Sequence, residues 1–205
     1  MTSGDTLLNV KTREKVQLPS TFTHDLCVYG NRQYIADCGG GGVVVLENMR
    51  VVRHLKPFIK SDHINTVLCE EPGKLWCLLH SLGPSKMVQI CTETGAHLET
   101  IERVGVQSHG IVRWSGKFLV LSSGTSELLW GTEVLWRDPA KNFLKGLCVH
   151  EGIAYFGAAP LTARGDRGSK NLHCEIVAFH LIHRKLLWRT RVSTCGLLNS
   201  IVIVQ

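Results

Sequence analysis

Three histidines open apolar runs at corresponding points of the chain. His24 stands in Thr-His-Asp-Leu-Cys-Val, His63 in Asp-His-Ile-Asn-Thr-Val-Leu-Cys, and His109 in Ser-His-Gly-Ile-Val-Arg-Trp. Lys145 takes the same place in a fourth run, Lys-Gly-Leu-Cys-Val-His. Asp37, His80 and Ser122 close the runs that follow the first three, and Asn65 sits two residues into the second. Imidazoles at repeated positions have three uses. They can hydrogen-bond neighbouring segments and lock a fold. His24, His63 and His109 can ligate one divalent metal ion and leave a position open for water. With Lys145 and Arg164 they can also hold a carboxylate or a phosphate.

The elements that must position these residues follow one plan. Each histidine or lysine heads a strand-like apolar run, a tight turn follows, and further short apolar runs come after it. Residues 24–55, 63–104, 109–135 and 145–191 each read as four short strands. Turn signals such as Glu70–Gly73, Thr94-Gly95, Ser115-Gly116 and Glu151-Gly152 separate them. Residues 5–18 read as a hairpin, and Gly196–Gln205 opens one more apolar strand. No window carries a 3.6-residue apolar stripe of helical length, which argues against a doubly wound α/β fold.

Four strands per unit at a period near 40 residues is the mark of a β-propeller blade. The chain resembles the β-propeller superfamily over nearly its whole length. It lacks the in-register Trp-Asp and Gly-His signatures of WD40 blades and the double glycine of kelch blades. The resemblance implies an all-β propeller of about five blades in one domain, 1–205. Four blades would be complete, and one would be shared by residues 196–205 with 5–18. The alternative is that the chain is part of a larger propeller. The resemblance further implies that inner-strand heads and second-strand ends converge on one face as a polar funnel. That funnel would hold His24, His63, His109, Lys145, Asp37, His80 and Asn65. The loop from Pro160 to His173, with Arg164, Asp166, Arg167 and Lys170, would overhang it.

Composition narrows the function classes. Apolar residues make up 44% and charged residues 20%, ordinary for a globular chain, and the net charge is +6. The basic residues are scattered and no stacking motif accompanies them, so nucleic acid is not expected as a partner. No apolar stretch is long enough to span a membrane. The first residues, Met-Thr-Ser-Gly-Asp, show no cationic segment before an apolar run, and a cytoplasmic location is the expectation. Eight cysteines without a Cys-x-x-Cys pair read as free, buried thiols of a reducing compartment. The four-glycine run Gly39–Gly42 reads as a loop between strands, because no helix follows that would make it a phosphate cradle. Trp76, Trp114, Trp130, Trp136 and Trp188 read as packing between blades.

The function that follows is a non-enzymatic binding or scaffold protein, without a cofactor, taking a protein or a small anionic ligand at the funnel. A metal-dependent lyase or hydrolase with one divalent ion is the alternative. Binding of a carbohydrate or small anion without chemistry is the other.

Overall fold

A computed structural model describes residues 2–3, 5–20, 22–162, 172–195 and 197–203. The chain divides into two compact units, 1–103 and 104–205. In unit 1, β1 (Thr2–Ser3), β2 (Thr6–Leu8) and β3 (Lys15–Gln17) form a three-stranded sheet. The first blade follows as β4 (Thr23–Tyr29), β5 (Arg32–Asp37), β6 (Gly42–Glu47) and β7 (Arg50–Leu55). The second is β8 (Ile64–Glu71), β9 (Lys74–Leu79), β10 (Lys86–Cys91) and β11 (His97–Ile101). Unit 2 holds the third blade, β12 (His109–Trp114), β13 (Lys117–Ser122), β14 (Glu127–Trp130) and β15 (Glu133–Arg137). Its fourth blade is β16 (Phe143–His150), β17 (Ile153–Ala159), β18 (His173–His180) and β19 (Lys185–Cys195). Every blade is antiparallel with neighbours in chain order. This is the β-propeller architecture that the repeat predicts. Among the described residues one 3₁₀ turn, Lys60–Asp62, is the only helical element, and no helix is long and apolar enough to cross a membrane.

Burial explains the blade pattern. The middle strands are apolar on both faces, whereas the fourth strands are charged and exposed, as in Arg50-Val-Val-Arg53. Successive residues of a strand point to opposite faces. In β5, Tyr34 and Ala36 therefore pack with Ile64, Val67, Leu75, Cys77 and Leu79 of the second blade. Ile35 packs the other way, with Leu7 of the three-stranded sheet and Leu18, the residue that follows it. In unit 2, Leu119, Leu121 and Leu128 of the third blade meet Leu144, Phe156 and Val177 of the fourth. Trp114, Trp130 and Trp136 join that layer. Trp188 does not: it lies on the outer strand β19, exposed, beside Tyr155.

The glycine run is a turn between β5 and β6, as its sequence context suggests. A Cβ on Gly42 would come 2.1 Å from the Leu55 carbonyl oxygen, so the β6–β7 pairing requires glycine there. The apolar C-terminal run behaves differently from the expectation. Residues 197–203 carry no strand, and the third strand of the N-terminal sheet is Thr2–Ser3. The Leu198 side chain and the Ser200 backbone crowd Gly157 and Gly146 of the fourth blade.

Asp25 ties the first two blades together by accepting the Val67 backbone N–H at 3.1 Å. Desolvation pushes its carboxyl up to about 6 from an ordinary 3.8, against the opposing pull of the Val67 and Leu26 amides. A raised carboxylate pKa stabilises the folded chain most below the unfolded pKa. That stability is lost as pH rises from about 4 through about 6. Asp25→Asn keeps an acceptor for Val67 and removes the titration. The variant is expected to be about 2–3 kcal/mol more stable than the parent above pH 6, with the gap closing near pH 4. Urea unfolding at both pH values measures it, and a gap independent of pH would count against the assignment.

The seven described cysteines are free thiols. Burial pushes Cys27 and Cys77 well up, Cys27 also through the nearby Asp25 carboxylate. Cys91, at the end of β10, differs: the Thr94 hydroxyl and the Glu93 and Thr94 amides hold its thiol below the usual range. In the native protein Cys91 is expected to react with a thiol reagent well before Cys27 or Cys77, because the thiolate is the nucleophile. Kinetics of Cys91→Ser should lack the fast phase, and a fast phase that persists would refute this.

Candidate functional site

The heads of the inner strands share a structural device. Each pairing of first and second strand slips at the same end: between Thr23 and Leu26, between Ile64 and Thr66, between His109 and Ile111, and between Lys145 and Cys148. These are β-bulges, which insert unpaired residues and re-aim side chains. Gly110 fills the third bulge at φ +68°, a left-handed conformation that suits glycine. The bulges also shift the histidines relative to one another. His24 lies inside its bulge, His63 directly precedes β8, and His109 is the last residue before its bulge. They do not occupy one register position.

In unit 1 these shifts bring side chains of the first two blades together. Thr23 pairs with Asp37, so Cys38, the next residue, lies beside the head of β4. Ile64 pairs with Leu79, which places His80 beside His63 in the equivalent way. The Cys38 Sγ lies 3.3 Å from His63 Nδ1. The His24 and His63 ring centroids are 5.2 Å apart, and those of His63 and His80 are 5.0 Å apart. Phe22 covers His24 edge-on at 4.8 Å. One donor atom each from His24, Cys38 and His63 lies within 4.8 Å of the others.

The backbone holds this group firmly. His63 ends the 3₁₀ turn at φ 52°, a left-handed conformation uncommon for a residue with a Cβ. Its N–H donates to the Lys60 carbonyl, and its own carbonyl accepts the His80 N–H at 3.1 Å. His80 Nδ1 accepts the Leu82 N–H at 3.2 Å, which leaves the ring proton on Nε2. Asn65 is buried in the second bulge and accepts the Thr66 hydroxyl.

Asp37 has a different occupation. Its buried carboxylate accepts Ser20 Oγ at 2.5 Å and the Gly40 N–H at 2.9 Å, and pairs with His54 Nε2 at 2.8 Å. It closes the turn after β5 and borders a cavity of about 360 Å³ lined by Gln17, Ser20, His54 and Lys56.

In unit 2 the polar residues at the strand heads and ends have partners of their own. His109 Nδ1 faces the Gln107 carbonyl at 2.9 Å and the Ser123 hydroxyl at 2.8 Å, so that nitrogen carries the proton. Ser123 in turn donates to the Leu144 carbonyl, and Phe143 packs edge-on against the ring. Lys145 is buried, with its ammonium 3.5 Å from the Asn199 side-chain oxygen. Ser122 joins a hydroxyl relay through Thr125 to Glu127, which also binds Arg137. Burial pushes Glu127 and Asp138 up. The Thr125 hydroxyl and Arg137 for the first, and Arg189 and the Ala140 amide for the second, outweigh it and hold both carboxyls low. Arg164, Asp166, Arg167 and Lys170 lie outside the described residues.

Sequence reasoning overlooked Cys38. It sits directly after the second strand of its blade, as His80 does in the next, and that shared position is the signal that identifies it.

No protein-family model matches this chain, and no curated protein matches it. Solved structures do. The chain is similar to a chain of the nidogen/laminin complex, with a TM-score of 0.70 and 10% identity, over 95% of this chain and 74% of that one. It is similar to virginiamycin B lyase from Staphylococcus aureus, with a TM-score of 0.54 and 8% identity, over 83% of this chain and 69% of that one. A dihydro-heme d1 dehydrogenase matches at a TM-score of 0.53 and 10% identity, over 91% of this chain and 40% of that one. At such identities the likeness speaks to fold, and the fold is that of the β-propeller proteins.

Proposed function

We propose that this chain is a non-enzymatic binding propeller that recognises acidic segments of a partner protein. Recognition falls to the strand ends of unit 1. The observation that carries this reading is the convergence of His24, Cys38, His63 and His80 at the heads and ends of adjacent strands. Imidazole and thiol groups at one place can donate to a carboxylate. The net charge of +6 favours anionic partners during encounter. The buried carboxylates Asp37, Glu127 and Asp138 are occupied in organising turns and strand ends. That suits a scaffold better than general acid–base work.

Selection of random dodecapeptides on the immobilised protein, in buffer containing EDTA, tests it. The enriched peptides are expected to be rich in Asp and Glu. They should bind His63→Asn and His24→Gln at least about tenfold more weakly, the scale of one charge-assisted hydrogen bond. Asparagine tolerates the left-handed backbone at position 63, so that variant keeps the fold. Enriched peptides that bind parent and variants equally would overturn the reading.

A further inference from the structure

We infer that His24, Cys38 and His63 form a zinc site with two imidazoles, one thiolate and an open fourth position. Their donor atoms lie within 4.8 Å of one another. Tetrahedral zinc has Zn–N bonds of about 2.0–2.1 Å and Zn–S bonds of about 2.3 Å, which places neighbouring donors about 3.3–3.6 Å apart. The Cys38 Sγ to His63 Nδ1 separation of 3.3 Å lies within about 0.3 Å of the sulfur–nitrogen spacing those bonds require. Bringing donors that lie within 4.8 Å of one another to that spacing takes a movement of order 1 Å.

The donor set selects the ion. A thiolate with two imidazoles suits zinc or copper and does not suit calcium or magnesium, which require oxygen ligands. Binding replaces the Cys38 thiol proton with the metal and releases that proton to solvent. The positioning is built in. Cys38 is buried at 4% exposure, and His63 is fixed in a left-handed conformation by backbone bonds on both sides. A conformation costing of order 1–3 kcal/mol persists only where surrounding structure imposes it. The His80 ring, tilted against that of His63 at 5.0 Å between centroids, backs the ligand ring. Three protein ligands leave one coordination position. A partner carboxylate occupies it. Only this last statement rests on the recognition reading above, and metal uptake does not.

Cobalt(II) titration of the reduced, EDTA-stripped protein tests the site directly. One equivalent is expected to give a thiolate-to-cobalt charge-transfer band in the near ultraviolet and the intense visible bands of tetrahedral cobalt. Zinc should bleach both. Cys38→Ser should lose the charge-transfer band. His24→Gln and His63→Asn should weaken binding by more than the roughly 10–100-fold that loss of a residue supporting a ligand costs. Cys91→Ser, the control for the reactive surface thiol, should bind like the parent. Circular dichroism of each variant confirms that it is folded. Absence of the band in the folded parent, or its survival in Cys38→Ser, overturns the proposal. If cobalt fails to bind while the selected peptides still distinguish His63→Asn, the metal site is wrong and the recognition reading stands. If cobalt binds as described and the peptides do not discriminate, the metal site stands and the recognition reading is wrong.

Discussion

Phe156→Ala is expected to lower the unfolding free energy by about 3–5 kcal/mol. Phe156 is fully buried in β17, where it packs with Leu119, Leu121 and Leu144, and the Trp136 ring lies 5.4 Å from it. Two blades meet on this ring, so its loss removes contacts from both. The neighbouring strands are tied by their ladders and cannot collapse into the space, which puts the cost at the upper part of the range for such truncations. Denaturant unfolding should show a lower midpoint with an unchanged slope. A loss below about 1 kcal/mol would mean that the two blades of unit 2 do not share this core.

Asp37→Ala ranks next, with an expected loss of about 3 kcal/mol. Its carboxylate serves three donors at once, Ser20 Oγ, the Gly40 N–H and His54 Nε2. A buried hydrogen bond contributes about 1 kcal/mol, and more when one partner is charged. Removing the carboxylate leaves the Ser20 hydroxyl and the Gly40 amide without an acceptor beside a turn. Asp37→Asn keeps an acceptor oxygen and should lose about half as much. Equal effects of the two substitutions would show that charge, rather than the number of acceptors, sets the contribution. Full binding of the selected peptides by Asp37→Asn would agree with a structural role for this residue.

The blades were legible because their signals are local. Alternation and continuous apolar runs such as Val43-Val-Val-Leu46 mark buried strands, and Gly73, Gly95, Gly116 and Gly152 mark the turns. The paired short strands of 128–135 and the N-terminal hairpin follow from the same signals and are present. The site was legible only in part. Counting residues from strand to strand assumes a constant register, and a one-residue slip moves every later side chain to the other face. The four bulges sit where that assumption was applied. His24, His63 and His109 therefore match in sequence spacing but not in register. Cys38 does not stand out in the sequence because the glycines after it mark a loop, and loop composition says nothing of what the neighbouring blade brings alongside. Trp188 departs from expectation for a related reason: aromatic identity suggests burial, but the fourth strand of its blade is exposed. The C-terminal run is as apolar as a strand, and packing against Gly146 and Gly157, not its own pattern, decides its form.

The bulges have a bearing on how such a chain tolerates changes of length. A residue added beside Asn65 enlarges an existing irregularity, and the ladder beyond Thr66 keeps its pairing with Leu78. The same addition between Trp76 and Cys77 would rotate Leu75 or Leu79 off the face that both share with Cys77. Insertions and deletions are therefore absorbed at the strand heads and rejected one strand away. In the second blade, the end that carries Asn65 is the end whose strand pairing already departs from regularity. A single-residue change there re-aims the polar side chains at the strand heads while the packed layers behind them keep their register, so the chemistry of that end can change without rebuilding the core.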